Sequence, residues 1–187
     1  PAEPKSNFAV AGLYFYDAAT DRLVVSPGGD PNDGSLYIAQ RALELTKNAV
    51  TDGGEILFLA ACPDGVGEQQ TLENFYNRLI LPLDEVLETI ESDYKLFSHK
   101  PYKFAQLIRR TAAIRMYSEL PDAQIADAHL VPVADPAAVV EQWIADNPDV
   151  KINVVEKVLK ASEAAADANR QRMDDASVLA INLMSAP

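Results

Sequence analysis

The stretch Leu23-Val24-Val25-Ser26-Pro27-Gly28-Gly29-Asp30-Pro31-Asn32-Asp33-Gly34-Ser35-Leu36-Tyr37-Ile38-Ala39-Gln40-Arg41-Ala42-Leu43 changes hydrophobic period midway, and that change decides the fold. Leu23, Val24 and Val25 are apolar without alternation, the pattern of a strand covered on both faces. Ser26 to Gly34 is rich in proline, glycine, asparagine and aspartate, so a long loop is expected at the carboxyl end of that strand. From Ser35 onward Leu36, Ala39, Leu43, Thr46 and Val50 recur at three- and four-residue steps, which predicts a helix stopping at Asp52-Gly53-Gly54, with Asp33 or Ser35 placed to cap its first turn.

The same order repeats outward. Upstream, Phe8 to Tyr16 is β-branched and aromatic and predicts a strand, broken by the turn Asp17 to Asp21. Downstream, Ile56 to Ala61 predicts a second buried strand, Cys62-Pro63-Asp64-Gly65-Val66-Gly67 its loop, and Leu72, Phe75, Tyr76 and Leu79 a helix. Further helices are expected over Leu83 to Ile90 and after Pro101, strands at Ala113 to Tyr117, Leu130 to Val133 and Lys151 to Val155, and a helix opened by Asp135-Pro136. Parallel strands need crossover connections, and crossovers are usually helical. The expectation is therefore an α/β domain over residues 1–155: a three-layer, mainly parallel sheet with helices on both faces, Rossmann-like. An Ala-, Glu- and Lys-rich C-terminal helical extension over 156–187 follows it.

Composition narrows the function. The chain has 187 residues, 48% of them hydrophobic and 24% charged, enough for a full core without covalent staples. A formal charge of -12 repels phosphate backbones and anionic lipid heads, which argues against nucleic-acid and membrane partners. No apolar run reaches the roughly 18 residues of a membrane span. The lone Cys62 cannot form an internal disulfide, which points to a reducing, cytoplasmic location. The chain starts at Pro1 rather than methionine, which fits a piece of a longer polypeptide.

In a parallel sheet the carboxyl ends of the strands share one edge, so the loops at Gly28 to Gly34, Pro63 to Gly67 and Ser118 to Pro121 are expected on one rim. Gly28 and Gly29 permit positive φ or close approach to a ligand, and free amides opening the helix near Ser35 offer an anion site. A glycine turn before a capped helix explains the same residues, since neither Gly-x-Gly-x-x-Gly nor a phosphate-loop lysine is present. Arg41 lies one turn beyond Tyr37 and suits either an anionic partner or a solvated surface. Asp64 suits a ligand contact or a turn, with Gly65 beside it. His99, Lys100 and Lys103 make the one locally basic spot, a candidate anion contact or a polar helix cap. No spacing of His and Cys suits a metal, and Cys62 has no histidine near it in sequence, so it reads as packing before nucleophile.

Taken in order, these motifs resemble a known family. Gly28-Gly29-Asp30-Pro31-Asn32-Asp33 followed by Tyr37-Ile38-Ala39-Gln40-Arg41 is similar to the pattern Gly-Gly-x-Pro-x-Asp, three residues, Tyr-Gln-Ala-x-Lys in the second domain of nickel-dependent lactate racemases. Asp52-Gly53-Gly54-Glu55-Ile56, Ala60-Ala61-Cys62-Pro63-Asp64-Gly65-Val66-Gly67, His99-Lys100-Pro101-Tyr102-Lys103-Phe104-Ala105 and Ser118-Glu119-Leu120 resemble later segments, so the similarity runs from about Leu23 to Val155. The resemblance implies a C-terminal domain that covers a nickel pincer nucleotide and a small 2-hydroxy acid. An N-terminal domain, in the same chain or a separate subunit, would supply the acid–base histidine pair, the lysine that carries the cofactor and a nickel-ligating histidine. Gly28, Gly29, Pro31, Asp33, Tyr37 and Arg41 carry over to the family's cleft, with Asp64, Gly65, His99 and Lys100 as further cofactor or substrate contacts. Two positions depart from the pattern: Ile38 replaces a hydrogen-bonding glutamine, and Arg41 replaces lysine, keeping charge but not geometry.

The resemblance implies an isomerase, a 2-hydroxy acid racemase or epimerase, active only with its missing half. A stand-alone nucleotide- or carboxylate-binding module of the same fold is the alternative, and Ile38 favours it. A hydrolase built on Cys62 or Ser26 lacks a base placed by the sequence.

Overall fold

The run Leu23-Val24-Val25 lies in β1 (Thr20–Val25), whose core-facing Leu23 and Val25 are fully buried. The computed structural model describes residues 19–92, 95 and 98–156. The strand expected at Phe8 to Tyr16 and, beyond Glu156, the helical extension lie outside them. After β1 come α1 (Leu36–Thr46), a 3₁₀ turn (Lys47–Ala49), β2 (Val50–Leu59), α2 (Gln69–Leu72), α3 (Tyr76–Leu79), α4 (Leu83–Ser92) and α5 (His99–Arg110). β3 (Ala113–Tyr117), α6 (Asp122–Asp127), β4 (Val131–Pro132), α7 (Pro136–Asp146) and β5 (Ile152–Val155) complete the order.

Among the described residues the sheet has five strands, ordered β4-β3-β2-β1-β5, every neighbouring pair parallel. Leu23 is in register with Ile56 and Ile56 with Ile114, while Val25 pairs with Phe58 and Phe58 with Met116. These residues face one side of the sheet, where Leu36, Ala39 and Leu43 of α1 and Phe104 and Leu107 of α5 join them in the main core. The connections through α1, α5 and α6 all step in one direction across the sheet, whereas the connection through α7 steps back over β1. Right-handed crossovers therefore put α7 on the opposite face.

On that second face the alternate residues meet α7. Glu55 Oε2 accepts hydrogen bonds from Arg115 Nε at 2.7 Å and Trp143 Nε1 at 3.3 Å, Glu55 Oε1 lies 3.7 Å from Arg22, and the Arg22 guanidinium sits 5.6 Å from the centre of the Trp143 ring. Burial alone would raise the Glu55 carboxyl pKa, but the hydrogen bonds from Arg115 and Trp143 and the charges of Arg115 and Arg22 outweigh it, and Glu55 titrates below its ordinary value.

Several boundaries differ from those expected. α1 ends at Thr46, whose hydroxyl donates to Ala42 O at 2.8 Å, and Val50 belongs to β2 instead of the helix. Sheet pairing claims this segment: Thr20 pairs with Val50 and Arg22 with Glu55, so the extra residues of Thr51-Asp52-Gly53-Gly54 bulge out within β2 rather than ending a helix. The expected helix through Leu72, Phe75, Tyr76 and Leu79 is split into α2 and α3, and the strand expected from Leu130 to Val133 shortens to Val131–Pro132. α6 carries too few apolar residues for its period to be read, with only Ile125 buried.

Replacing Glu55→Gln is expected to cost about 1–3 kcal/mol at pH 7, because two arginines lose their charged acceptor. A depressed carboxylate pKa contributes stability above the unfolded value of 4.5 and loses it as pH falls through the lower folded value. Urea unfolding of both proteins should therefore show a gap at pH 7 that narrows as pH falls below 4.5; a gap of constant size into the acid range would contradict this account.

Candidate functional site

The loops after β1 and β2 meet on one rim because their backbones bind each other. Cys62 N–H donates to Asp33 O and Asp64 N–H to Gly34 O, both at 2.8 Å, while Leu36 N–H donates to Gly65 O and Tyr37 N–H to Val66 O, both at 3.1 Å. The Asp33 carboxylate accepts Ala61 N–H at 3.2 Å. A Cβ at position 34 would lie 2.9 Å from Asp64 Oδ2, so the exposed Asp64 carboxylate would have to swing aside to admit one. At the start of the loop Gly28 and Gly29 take φ of 120° and 73°, and Gly29 O receives Asn32 N–H, closing a tight turn.

This interlock corrects two expectations. The first amides of α1 are not free for an anion, since Leu36 and Tyr37 donate to the neighbouring loop and Ile38 and Ala39 to Ser35 O. Neither Asp33 nor Ser35 caps the helix through its side chain: Ser35 makes no such bond, and Asp33 holds the end of β2. Asp64 is exposed, its carboxylate packed against Gly34.

Beyond the interlock, Lys100 reaches Tyr37, and the charge of Arg41 is near enough to Lys100, and that of Lys100 to His99, to act on them. Lys100 Nζ lies 3.3 Å from the centre of the Tyr37 ring and donates to Tyr37 O at 3.2 Å. Phe75 meets the same ring edge-on, with centroids 5.3 Å apart. Burial, then the charge of Glu68, raises the Tyr37 pKa, so its hydroxyl keeps its proton at neutral pH. Burial and then the charge of Arg41 lower Lys100 to about 8. His99 is lowered by burial, then by Lys100 and Lys103, and stays a neutral imidazole at pH 7. Lys103 is drawn away to Glu44 at 3.3 Å, so the basic spot is made by Lys100 and Arg41. Phase matching of Phe75 with α1 gave no sequence signal, and Glu68 sat in no motif.

On the α7 face of the same rim, Val24, Ser26, Gly28, Leu59 and Val154 to Glu156 line a cleft of about 260 Å³. It lies between β1 and β5, where the strand order reverses, the usual place for a ligand in an open parallel sheet. Gly28 thus borders this cleft, while Gly65 belongs to the side of Tyr37.

Cys62 is buried with φ of 55°, and burial, despite an opposing hydrogen bond from Ser118, pushes its thiol up to about 12. It is no nucleophile at neutral pH. Both histidines and the cysteine of the chain lie in the described residues, and no metal-holding group of three His, Cys, Asp or Glu forms there. His129 Nε2 sits 2.8 Å from Leu81 O, far along the chain from His99. The described residues therefore do not fit nickel ligation. No described helix is long and apolar enough to cross a membrane.

No family model and no curated protein matches the chain. Among solved structures it is similar to the lactate racemase apoprotein from Thermoanaerobacterium thermosaccharolyticum, with a TM-score of 0.63 and 22% identity over 75% of this chain. It covers 34% of that protein's length, about a third. At this identity the likeness is one of fold, the α/β fold with its parallel sheet.

Asp33→Ala removes the acceptor of a partly buried amide and is expected to cost about 1–2 kcal/mol in chemical unfolding. Iodoacetamide should label Cys62 at pH 8 only at the rate of unfolding; rapid labelling of the folded chain would show that the thiol is accessible and ionised.

Proposed function

We propose that this chain forms the C-terminal half of a cleft in a lactate racemase-like racemase or epimerase of 2-hydroxy acids, with the reacting groups supplied by an N-terminal half. The observation that carries this reading is a pair of cations without carboxylate partners. Arg22, Lys47, Lys103, Arg109, Arg110 and Arg115 each have a carboxylate within 4.0 Å. Arg41 and Lys100 have none among the described residues, although acidic side chains outnumber basic ones 28 to 16. Lys100 against the Tyr37 ring, with the charge of Arg41 near enough to act on it, suits the carboxylate of a hydroxy acid, with the Tyr37 hydroxyl kept protonated. The fold shared with a lactate racemase apoprotein supports the same direction.

The family's nickel pincer nucleotide would supply the hydride transfer, and its metal would be held by the other half. This chain's contribution is to bind and orient the anion and to close the cleft against water. The alternative, a free-standing anion-binding module, is favoured by Ile38, which stands 41% exposed beside Tyr37 where the resemblance expects a hydrogen-bonding side chain.

Titration with lactate, followed by NMR, should move the signals of Tyr37 and Lys100, and Arg41→Ala should weaken binding by about tenfold or more, the value of one charge-assisted hydrogen bond. The chain alone should racemise no 2-hydroxy acid. Turnover by the isolated chain, or affinity unchanged in Arg41→Ala, would overturn the proposal; activity restored by a cofactor-loaded N-terminal half separates it from the free-standing module.

A further inference from the structure

The face of the sheet under α7 is only half covered. Register sets Arg22 beside Glu55 in one row across this face, Val154, Val24 and Leu57 in the next, and Leu59 beside Tyr117 at the carboxyl rim. Trp143 of α7 is tied to the first row through Glu55, and Leu57 is buried. Nearer the rim apolar side chains meet solvent: Tyr117 is 46% exposed and Val154 59%. The cleft of about 260 Å³ bordered by Val24, Leu59 and Val154 opens in the same place. The other helices pack into the core of the opposite face or onto one another, so among the described residues α7 alone serves this one.

We propose that the uncovered half is the docking surface for the chain's own C-terminal segment, residues 157–176, with Val158 and Leu159 entering the cleft and a row of alanines crossing Leu59 toward Tyr117. Position is the first argument. β5 ends at Val155, and Glu156, where the described residues stop, lines the cleft itself, so the segment that follows starts at the surface it would cover. Residues 1–18 lead instead into the amino end of β1, at the opposite rim, the length of a six-residue strand or about 20 Å away.

Reach and pattern agree with this placement. From β5 to β3 the sheet spans three strand spacings, about 14 Å, which a helix of about ten residues crosses. Val158, Ala161, Ala165 and Ala168 recur at steps of three and four, while Lys160, Glu163, Asp167, Arg170 and Asp174 recur on the opposite arc. Small side chains on one arc allow close approach to a sheet, and the charged arc stays in water. A second copy is disfavoured as the occupant, because a chain of formal charge -12 repels itself. The cleft where the strand order reverses is thereby filled by the chain's own residues, and ligands are left the side of Tyr37.

Spin labelling of the full chain tests this. Glu163→Cys puts a nitroxide on the charged arc, and the unaltered chain, whose cysteine is buried, supplies the blank. Methyl NMR should show stronger broadening at Val24, Leu59 and Val154 than at Leu36 and Leu107 in the core of the other face. Val154→Asp, a change at an exposed position, should speed amide exchange over residues 158–168 about tenfold or more, while urea unfolding shows the domain intact. Absence of that broadening, or exchange unchanged by Val154→Asp, overturns the proposal. Broadening seen only when spin-labelled and isotope-enriched chains are mixed overturns it in favour of a second copy. Broadening of the same methyls from a label at Ser6→Cys but not from Glu163→Cys overturns it in favour of the N-terminal segment. Neither measurement uses a ligand, so its failure is distinct from failure of the anion-site reading.

Discussion

Carbonyl groups of one loop hold the start of the helix that follows the other. Gly65 O and Val66 O accept the amides of Leu36 and Tyr37, while Asp33 returns the bond through its own carbonyl to Cys62 and its carboxylate to Ala61. Amides left open at a helix start would need water or a ligand. Here they are consumed by the fold, which sets the direction of α1 and fixes the rim position of Tyr37. The same bonds move anion recognition away from the helix terminus, so any negative ligand must be met by side chains further along α1 and from α5.

The placement of Lys100 depends on that rim. α5 begins at His99, more than sixty residues from Tyr37 in sequence, and packs beside α1. A half-buried ammonium without a carboxylate loses hydration, and the Tyr37 ring face and carbonyl restore part of it, the ring contact contributing about 0.5–2 kcal/mol. Across the sheet the opposite solution is used: Glu55 gathers two arginines and an indole N–H under α7, tying helix and sheet together with charge compensated. One face compensates its charges under α7, and on the other Lys100 rests on an aromatic ring with no carboxylate partner among the described residues.

Much of this was legible from residue order. The apolar run Leu23-Val24-Val25 and the shift of period after Gly34 announced strand, loop and helix, and Ala113 to Tyr117 appears as β3 with the expected bounds. Asp135 caps α7 through Ala137 N–H at 2.9 Å, as its position before Pro136 implies. The end of α1 was not legible, because Val50 fits a helical period and a strand equally well, and pairing with Thr20 decides between them.

For the candidate site, the sequence by itself determined which residues carry charge and which loops share a rim, since both follow from residue type and from parallel strand direction. Only the tertiary structure decided what those residues bind. Asp33 and the amides after Ser35 became internal fastenings, Lys103 was claimed by Glu44, and Lys100 came to rest on Tyr37 beside Arg41. The physical reason is that hydrogen bonds and ion pairs act over a few ångströms between groups remote in sequence. Spacing along one chain sets local period, whereas the packing of α5 on α1 sets which partner arrives first.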